Sequence, residues 1–185
     1  MKQFYLAEIV TKDKLIHQGV FFKPKKPTKK AILWVHGLTD TFYGDVTAFE
    51  KFSKHCQKEG CGFVSFNTRG HDVVTSISKV DPKSPKGKTH VLQGAAIEKF
   101  TDCIFDIEAS IDYLEKEGFL EVILAGISTG ANKVCYYGAE KNDPRVVGVV
   151  LASAISDAGY KIKELGDRYT QDIAKVKQLV TKGKG

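Results

Sequence analysis

The hydrophobic pattern of the chain begins with two short stretches typical of β-strands, FYLAEIV and HQGVFFKP, separated by the polar turn TKDK. This arrangement predicts an antiparallel pair of strands. Four more continuous apolar runs follow, namely AILWVHG, CGFVSFNTRG, EVILAG and RVVGVVLASA. Such runs are typical of strands that are covered on both faces of a sheet.

Helical spacing of apolar residues occurs between these runs. It is found in VTAFEKFSKHCQKEG, in FTDCIFDIEASIDYLEKEG and in TGANKVCYYGAEK. In the second of these segments the predicted buried face carries Phe100, Ile104, Ile107, Ile111 and Leu114. Strands and helices therefore alternate after residue 31. This alternation predicts an α/β fold with a mostly parallel sheet and helices on both faces, preceded by the antiparallel pair.

Two segments depart from this alternation. Residues 71–97 have no clear period and contain two prolines and two glycines, so we expect a long loop or an insertion there. The segment YKIKELGDRYTQDIAKVKQLV has a helical period but is highly charged, which predicts a helix at the surface. At 185 residues the chain suits a single domain over residues 1–185.

Charge and cysteine content narrow the classes of function. The formal net charge is +6, but the lysines are concentrated in KPKKPTKK and in the terminal TKGKG, which have the composition of solvated loops. We therefore predict no nucleic-acid partner. The four cysteines lack metal-ligand spacing, which favours reduced thiols in a cytoplasmic protein without a metal or cofactor. No apolar run approaches the length of a membrane-spanning helix.

The segment LAGISTGANK contains the main candidate for chemistry. Here Gly126, Ser128 and Gly130 form a G-x-S-x-G motif between a predicted strand and a predicted helix. A turn of this kind displays its serine at the carboxyl edge of a sheet, and larger residues at the glycine positions would collide with the strand and the helix. The start of the helix provides N–H groups that stabilise a developing negative charge. We therefore predict that Ser128 is a nucleophile and that the Thr129 N–H belongs to an oxyanion hole.

The segment VHGLTD is the candidate for the second half of that oxyanion hole. His36 and Gly37 directly follow a predicted buried strand, and the N–H of the next residue, Leu38, would complement that of Thr129. We expect the His36 side chain to be buried and to order the loop by hydrogen bonding. The functional role falls to the neighbouring backbone.

Together these features resemble the α/β-hydrolase superfamily, in particular serine hydrolases of the esterase and lipase kind. The features are WVHG after one strand, FNTRGHD after the next, and LAGISTGANK as the nucleophile elbow, in the family's order. The resemblance spans roughly residues 31–157. It implies hydrolysis of a small-molecule carboxylic ester through an acyl-enzyme on Ser128.

The family's catalytic triad continues with an acid and a histidine after the serine, and no histidine follows Ser128 here. The resemblance therefore implies that the chain lacks the C-terminal third of the fold and that the general base lies beyond residue 185. Asp157, which follows the last apolar run, is a candidate acid, although aspartate there is also typical of a helix start. His71 and His90 are the alternatives for a base within the chain.

Two functions therefore remain open. One is the ester hydrolase, and the other is a catalytically inactive or truncated protein of the same fold that acts in binding. A sheet that stops at RVVGVVLASA leaves an apolar edge exposed. We expect that edge to recruit either a second copy of the chain, forming a homodimer, or a separate fragment that carries the remaining strands.

Other polar residues single out no further site. Asp102, Asp106 and Glu108 share one predicted helix, and we expect all three to face solvent. Cys135, on the helix that follows Ser128, is expected to pack in the core.

Overall fold

The computed structural model describes residues 4–26, 28–44 and 46–184, apart from the Asp157 side chain. The chain forms two compact units, Met1–Ala154 and Ile155–Gly185. The single domain expected over residues 1–185 stays a prediction, because a compact unit is not by itself a folding domain.

A six-stranded sheet forms the centre of the first unit. The strands of the chain are β1 (Tyr5–Val10), β2 (Ile16–Phe22), β3 (Lys30–Val35), β4 (Gly62–Phe66), β5 (Thr75–Val80), β6 (Lys88–Gln93), β7 (Glu121–Ile127) and β8 (Val146–Ala152). The order in the sheet is β1-β2-β4-β3-β7-β8, while β5 and β6 form a separate hairpin. Strand β2 pairs antiparallel with β1 and β4, and β4, β3, β7 and β8 are parallel. The predicted mixed topology is confirmed.

Helices cover both faces of this sheet, as the alternation of elements predicts. They are α1 (Val46–Lys58), α2 (Cys103–Lys116) and α3 (Thr129–Lys141), with a short 3₁₀ turn at Phe100–Asp102 before α2. Along β3, Leu33 packs in one apolar cluster with α2 and α3, whereas Trp34 packs in the other cluster with α1. Successive residues of a strand point to opposite faces of the sheet, and here both faces are apolar. The strands therefore appear in the sequence as continuous apolar runs.

The segment 71–97, expected to be a long loop or an insertion, is largely a hairpin. Strand β5 pairs antiparallel with β6, with Thr75 opposite Gln93 and Val80 opposite Lys88. Of the residues in these two strands, Ile77 alone is buried. The hairpin therefore lacks the apolar alternation by which a half-buried strand is identified from sequence.

The expectation that Asp106 faces solvent is wrong, because this residue lies on the buried side of α2. Its carboxylate accepts hydrogen bonds from the backbone N–H of Arg69 at 2.9 Å and from Nη2 of Arg69 at 2.8 Å, and it lies 3.2 Å from Nε2 of His17. Burial alone would raise the pKa of Asp106, but the interactions with His17 and Arg69 hold it well below its ordinary value. This cluster fixes the segment that leaves β4.

Two other expectations for side chains in the first unit are also wrong. Phe100 is partly exposed because the 3₁₀ turn takes it off the helical face that the spacing implies. Cys135 is exposed, since it falls on the outer side of α3.

The second unit consists of two helices, α4 (Asp157–Leu165) and α5 (Asp167–Thr181). Their charged sequence predicts helices at the surface, and no described residue from 155 to 184 is buried. Ser156 is the N-cap of α4, and its hydroxyl accepts a hydrogen bond from the N–H of Gly159 at 3.1 Å. No helix in the described ranges is long and apolar enough to cross a membrane.

Candidate active site

Ser128 is the single residue between the end of β7 and the start of α3, and it has a strained backbone. Its φ is +53° and its ψ is −124°, a conformation that residues with a side chain rarely adopt. The Ser128 N–H donates to the carbonyl oxygen of Ala152 at 2.9 Å, and its own carbonyl accepts from the N–H of Ala131 at 2.9 Å. Strain held by surrounding structure in this way is typical of functional positions.

Close backbone approaches explain the two glycines of the motif. A Cβ atom on Gly126 would lie 2.3 Å from the carbonyl oxygen of Gly130. A Cβ atom on Gly130 would lie 2.3 Å from the carbonyl oxygen of Val35 and 2.4 Å from that of His36. The absence of side chains at both positions lets the start of α3 sit against the ends of β7 and β3.

The loop after β3 lies directly beside the serine. A Cβ atom on Gly37 would lie 3.3 Å from Cβ of Ser128 and 3.8 Å from its Oγ. Neither the Leu38 N–H nor the Thr129 N–H donates a hydrogen bond to another residue that the structure describes. Two N–H groups on the segments that flank a half-buried serine thus have no hydrogen-bond acceptor among the described residues.

The His36 ring organises this loop. It is buried, and its Nδ1 donates to the carbonyl oxygen of Gly37 at 2.8 Å, while its Nε2 accepts from the N–H of Thr68 at 2.9 Å. Because a carbonyl can only accept and an amide N–H can only donate, the ring is neutral with its proton on Nδ1. Burial, opposed by the Gly37 hydrogen bond and reinforced by the charge of Lys133, lowers the pKa of His36 to about 4.

His71 lies at the same rim of the sheet, where it pairs by a backbone bridge with Thr39 of the loop after β3. Its Nδ1 is 2.8 Å from Oδ2 of Asp72, a residue whose φ is +57°. Burial lowers the pKa of His71, and the interaction with Asp72 offsets this only in part. His90, the other alternative base, is an exposed residue of β6 opposite Ser78.

The remaining predicted member of the site is Asp157. It is the first residue of α4, as its alternative interpretation predicts, and its side chain lies outside the part of the chain that is described. In the described ranges the Ser128 hydroxyl has no hydrogen-bond partner, so no histidine is hydrogen-bonded to it there. Those ranges also contain no group of three or more His, Cys, Asp or Glu residues placed to hold a metal ion.

Sequence reasoning missed a buried ion pair near the site. Nζ of Lys133, on α3, is 2.8 Å from Oε2 of Glu98, and their side chains are 1% and 6% exposed. The spacing of the buried residues of α3 carries a signal for it, since Lys133 falls in the same stripe as Gly130, Val134 and Tyr137. A lysine in an apolar stripe beside the elbow indicates a buried partner.

An apolar cavity of about 200 Å³ adjoins the elbow on the α1 side of the sheet. Its lining includes Trp34, Phe42, Phe49, Phe52 and Ile127, the residue before Ser128. Such a lining suits a small apolar group.

Comparison with solved structures identifies the architecture. Similar folds are found in an esterase from Pyrococcus furiosus (TM-score 0.64, 18% identity, 92% of this chain and 56% of that one) and in a thermostable carboxyl esterase from Bacillus coagulans (0.63, 14%, 100% and 53%). An alpha/beta hydrolase from a Penicillium species is also similar (0.63, 14%, 93% and 54%). The fold is therefore the α/β-hydrolase fold, and the chain spans a little more than half of the length of these proteins.

Comparison of the sequence with protein families and with curated proteins indicates no function. A family described only as proteins of unknown function, DUF1749, matches residues 101–185, which include the elbow and α3. No curated protein matches the sequence.

Proposed function

We propose that this chain, whose fold is that of the α/β-hydrolases, is part of a serine hydrolase that cleaves carboxylic esters through an acyl-enzyme on Ser128. The observation that carries the proposal is the strained Ser128 at the start of α3, beside the free N–H groups of Leu38 and Thr129. Similarity to proteins described as esterases supports an ester as the substrate. The apolar cavity beside Ile127 supports a small-molecule ester with an apolar acyl group.

The reaction takes place in two steps. The Ser128 oxygen attacks the ester carbonyl carbon and loses its proton to a general base, while the carbonyl oxygen becomes an oxyanion that accepts hydrogen bonds from Leu38 and Thr129. The C–O bond to the alcohol then breaks, and the alcohol leaves with the proton from the base. In the second step water attacks the acyl-enzyme in the same way, which releases the carboxylic acid and regenerates the serine.

The proton acceptor is the part of the machinery that the described residues leave open. A serine hydroxyl at its ordinary pKa is a weak nucleophile and needs a base. The ring nitrogens of His36 are both engaged, so this residue does not serve. We assign the base to a histidine outside the described residues, and Asp157 is the candidate within the sequence for the acid that pairs with it.

Substitution of Ser128 tests the proposal, with the base supplied by whichever full-length protein or complex contains this chain. The variant Ser128→Ala should abolish turnover of a p-nitrophenyl ester. Ser153→Ala is the matched control, since Ser153 also has a positive φ and directly follows β8. Full activity of Ser128→Ala would refute the assignment.

The alternative is a catalytically inactive protein of the same fold that binds an ester or a related small molecule. The observation in its favour is that Ser128 has no hydrogen-bonded base in the described ranges. It predicts saturable ligand binding without turnover in wild type and in Ser128→Ala alike.

The edge strand supports the predicted partner. Among the strands that the structure describes, β8 pairs with β7 alone, and its Val147, Val149, Val150 and Leu151 are about half exposed. An apolar edge of this kind recruits further polypeptide. We propose a second copy of the chain as the occupant, and a separate fragment carrying further strands is the alternative outcome.

A further inference from the structure

The burial of Lys133 is unusual for a lysine on a helix that packs against one face of a sheet. This residue follows Ser128 by little more than one helical turn, yet its side chain is fully buried and its ammonium group is paired with Glu98, 2.8 Å away. Lysine is almost never fully buried without such a partner, because desolvation of the charge is costly.

A third contact connects this ion pair to the candidate oxyanion hole. Nζ of Lys133 donates to the hydroxyl oxygen of Thr68 at 3.3 Å. The same threonine donates its backbone N–H to Nε2 of His36, and its hydroxyl lies 3.2 Å from that nitrogen. The hydrogen bonds therefore run without a break from Glu98 through Lys133 and Thr68 to His36.

One further hydrogen bond, from the His36 ring to the loop after β3, sets the direction of the Leu38 N–H. Nδ1 of His36 holds the carbonyl oxygen of Gly37, which belongs to the peptide group between Gly37 and Leu38. This peptide is trans, so its C=O and N–H point in opposite directions. Fixing the carbonyl therefore aims the Leu38 N–H to the other side of the peptide group.

We propose that Lys133 and Glu98 are positioning residues for the oxyanion hole, acting through Thr68 and His36 on the Leu38 N–H. The inference rests on the function proposed above, since it assigns a purpose to the orientation of that amide. The positive charge of Lys133 disfavours a second proton on His36. With Nε2 protonated, the ring would present a donor to the Thr68 N–H instead of an acceptor. The hydrogen bond between Thr68 and His36, which holds the ring in the loop after β3, would then be lost.

A merely structural role is the competing interpretation. The Glu98 carboxylate packs over Gly70, where a Cβ atom would lie 2.3 Å from it. The ion pair could thus serve only to attach the segment after β6 to α3. The two interpretations differ in what they predict for the Leu38 N–H and for kcat. An attachment role requires no effect on either, whereas the charge of Lys133 acts on the His36 ring in both cases.

The charged groups around His36 come from three elements. They are Lys133 of α3 and His71 of the segment after β4, which both disfavour the charged ring, and Asp106 of α2, which favours it. Removal of the Lys133 charge therefore leaves a carboxylate that stabilises the protonated ring, and the pKa of His36 should rise.

The test compares Lys133→Met with Lys141→Met in the full chain. Lys141 lies on the same helix and pairs with Glu108 at 3.2 Å, so its substitution removes an equal charge without touching the path to His36. Histidine ring resonances, followed by NMR against pH, should show the pKa of His36 higher by about one pH unit or more in Lys133→Met and unchanged in Lys141→Met. The backbone N–H resonance of Leu38 should shift in the first variant only.

Kinetics provide the second readout where the wild type turns over a p-nitrophenyl ester. Lys133→Met should lower kcat about tenfold or more with KM nearly unchanged, and the loss should deepen as the pH falls towards about 5. In the double variant Lys133→Met/Glu98→Leu the apolar pair should restore stability, because buried ion pairs can be replaced in this way, but it should not restore kcat. This variant also keeps the test available if the single substitution does not fold.

The outcomes separate the two proposals. Unchanged His36 titration and an unchanged Leu38 resonance in Lys133→Met, or in the double variant, overturn the positioning role whether or not the protein is an esterase. Recovery of kcat in the double variant also overturns it, since attachment alone would then suffice. Absence of turnover in the protein or complex that supplies the base to this chain counts against the proposed function, and the NMR comparison then decides the inference alone.

Discussion

Gly126 and Gly130 face each other across the turn that carries Ser128, and a Cβ atom on the first would lie 2.3 Å from the carbonyl oxygen of the second. The turn thus has no room for a side chain on its inner surface. Its geometry brings the serine, the start of α3 and the end of β3 together. The chemistry proposed for this chain depends on that turn.

Substitution of Gly130 tests how tightly this turn is constrained. In Gly130→Ala the new Cβ would collide with backbone oxygens of Val35 and His36, which cannot move independently of β3. We expect a loss of about 1–3 kcal/mol in the free energy of unfolding and a loss of ester turnover. Urea unfolding measures the first effect.

Gly138→Ala is the matched control, since Gly138 is on the same helix and an added Cβ would meet nothing within 4 Å. It should gain up to about 1 kcal/mol from helix propensity. Equal stability of the two variants would contradict the packing described here.

The buried Asp106 carboxylate should dominate the stability of the segment after β4. In Asp106→Asn the guanidinium of Arg69, 3% exposed, would lose its main anionic partner, at a cost of about 3–5 kcal/mol in unfolding free energy. The control Asp112→Asn, on the same helix, removes a half-exposed partner of Arg145 and should cost less than about 1 kcal/mol. Urea unfolding at neutral pH compares them.

The same comparison has a definite pH dependence. The pKa of Asp106 is lower in the folded chain than in the unfolded one, so the unfolded state takes up the proton first as the pH falls. The advantage of wild type over Asp106→Asn should therefore be complete above about pH 4 and decrease below it. An advantage that grows as the pH falls would have the wrong sign.

The exposed edge strand predicts self-association. Light scattering of the purified chain should give a mass near twice 20.4 kDa, decreasing on dilution. The variant Val147→Lys/Val149→Lys should weaken the dimer, because it places charge on the edge strand, whereas Leu92→Lys on the exposed hairpin should not. A wild-type chain that stays monomeric at high concentration would exclude a second copy as the occupant.

The sheet could be predicted from sequence because its strands are apolar on both faces. Leu33 and Trp34 pack on opposite sides of β3, so the run AILWV has no polar interruption. The tight turn between β7 and α3 could also be predicted, since an apolar run, two glycines around one serine and a helical period follow one another there. Local pattern and three-dimensional packing agree at these positions.

The remaining features depend on contacts between distant segments. Lys133 and Glu98 are 35 positions apart in the chain, and each alone resembles an ordinary surface charge. The pairing of Asp106 with Arg69 could not be predicted for the same reason, because a carboxylate on an amphipathic helix is normally solvated. The hairpin of β5 and β6 could not be predicted because most of its side chains are polar or exposed.

Reaction with a fluorophosphonate probe, in the protein or complex that supplies the base to this chain, tests the central claim most directly. The probe forms a covalent bond with a serine that is both activated and next to an oxyanion hole. Mass spectrometry of the digested protein should find the phosphonyl group on the peptide that contains Ser128, and no labelling of Ser128→Ala. An unlabelled Ser128 in the wild-type protein, or equal labelling of the alanine variant, would contradict the claim.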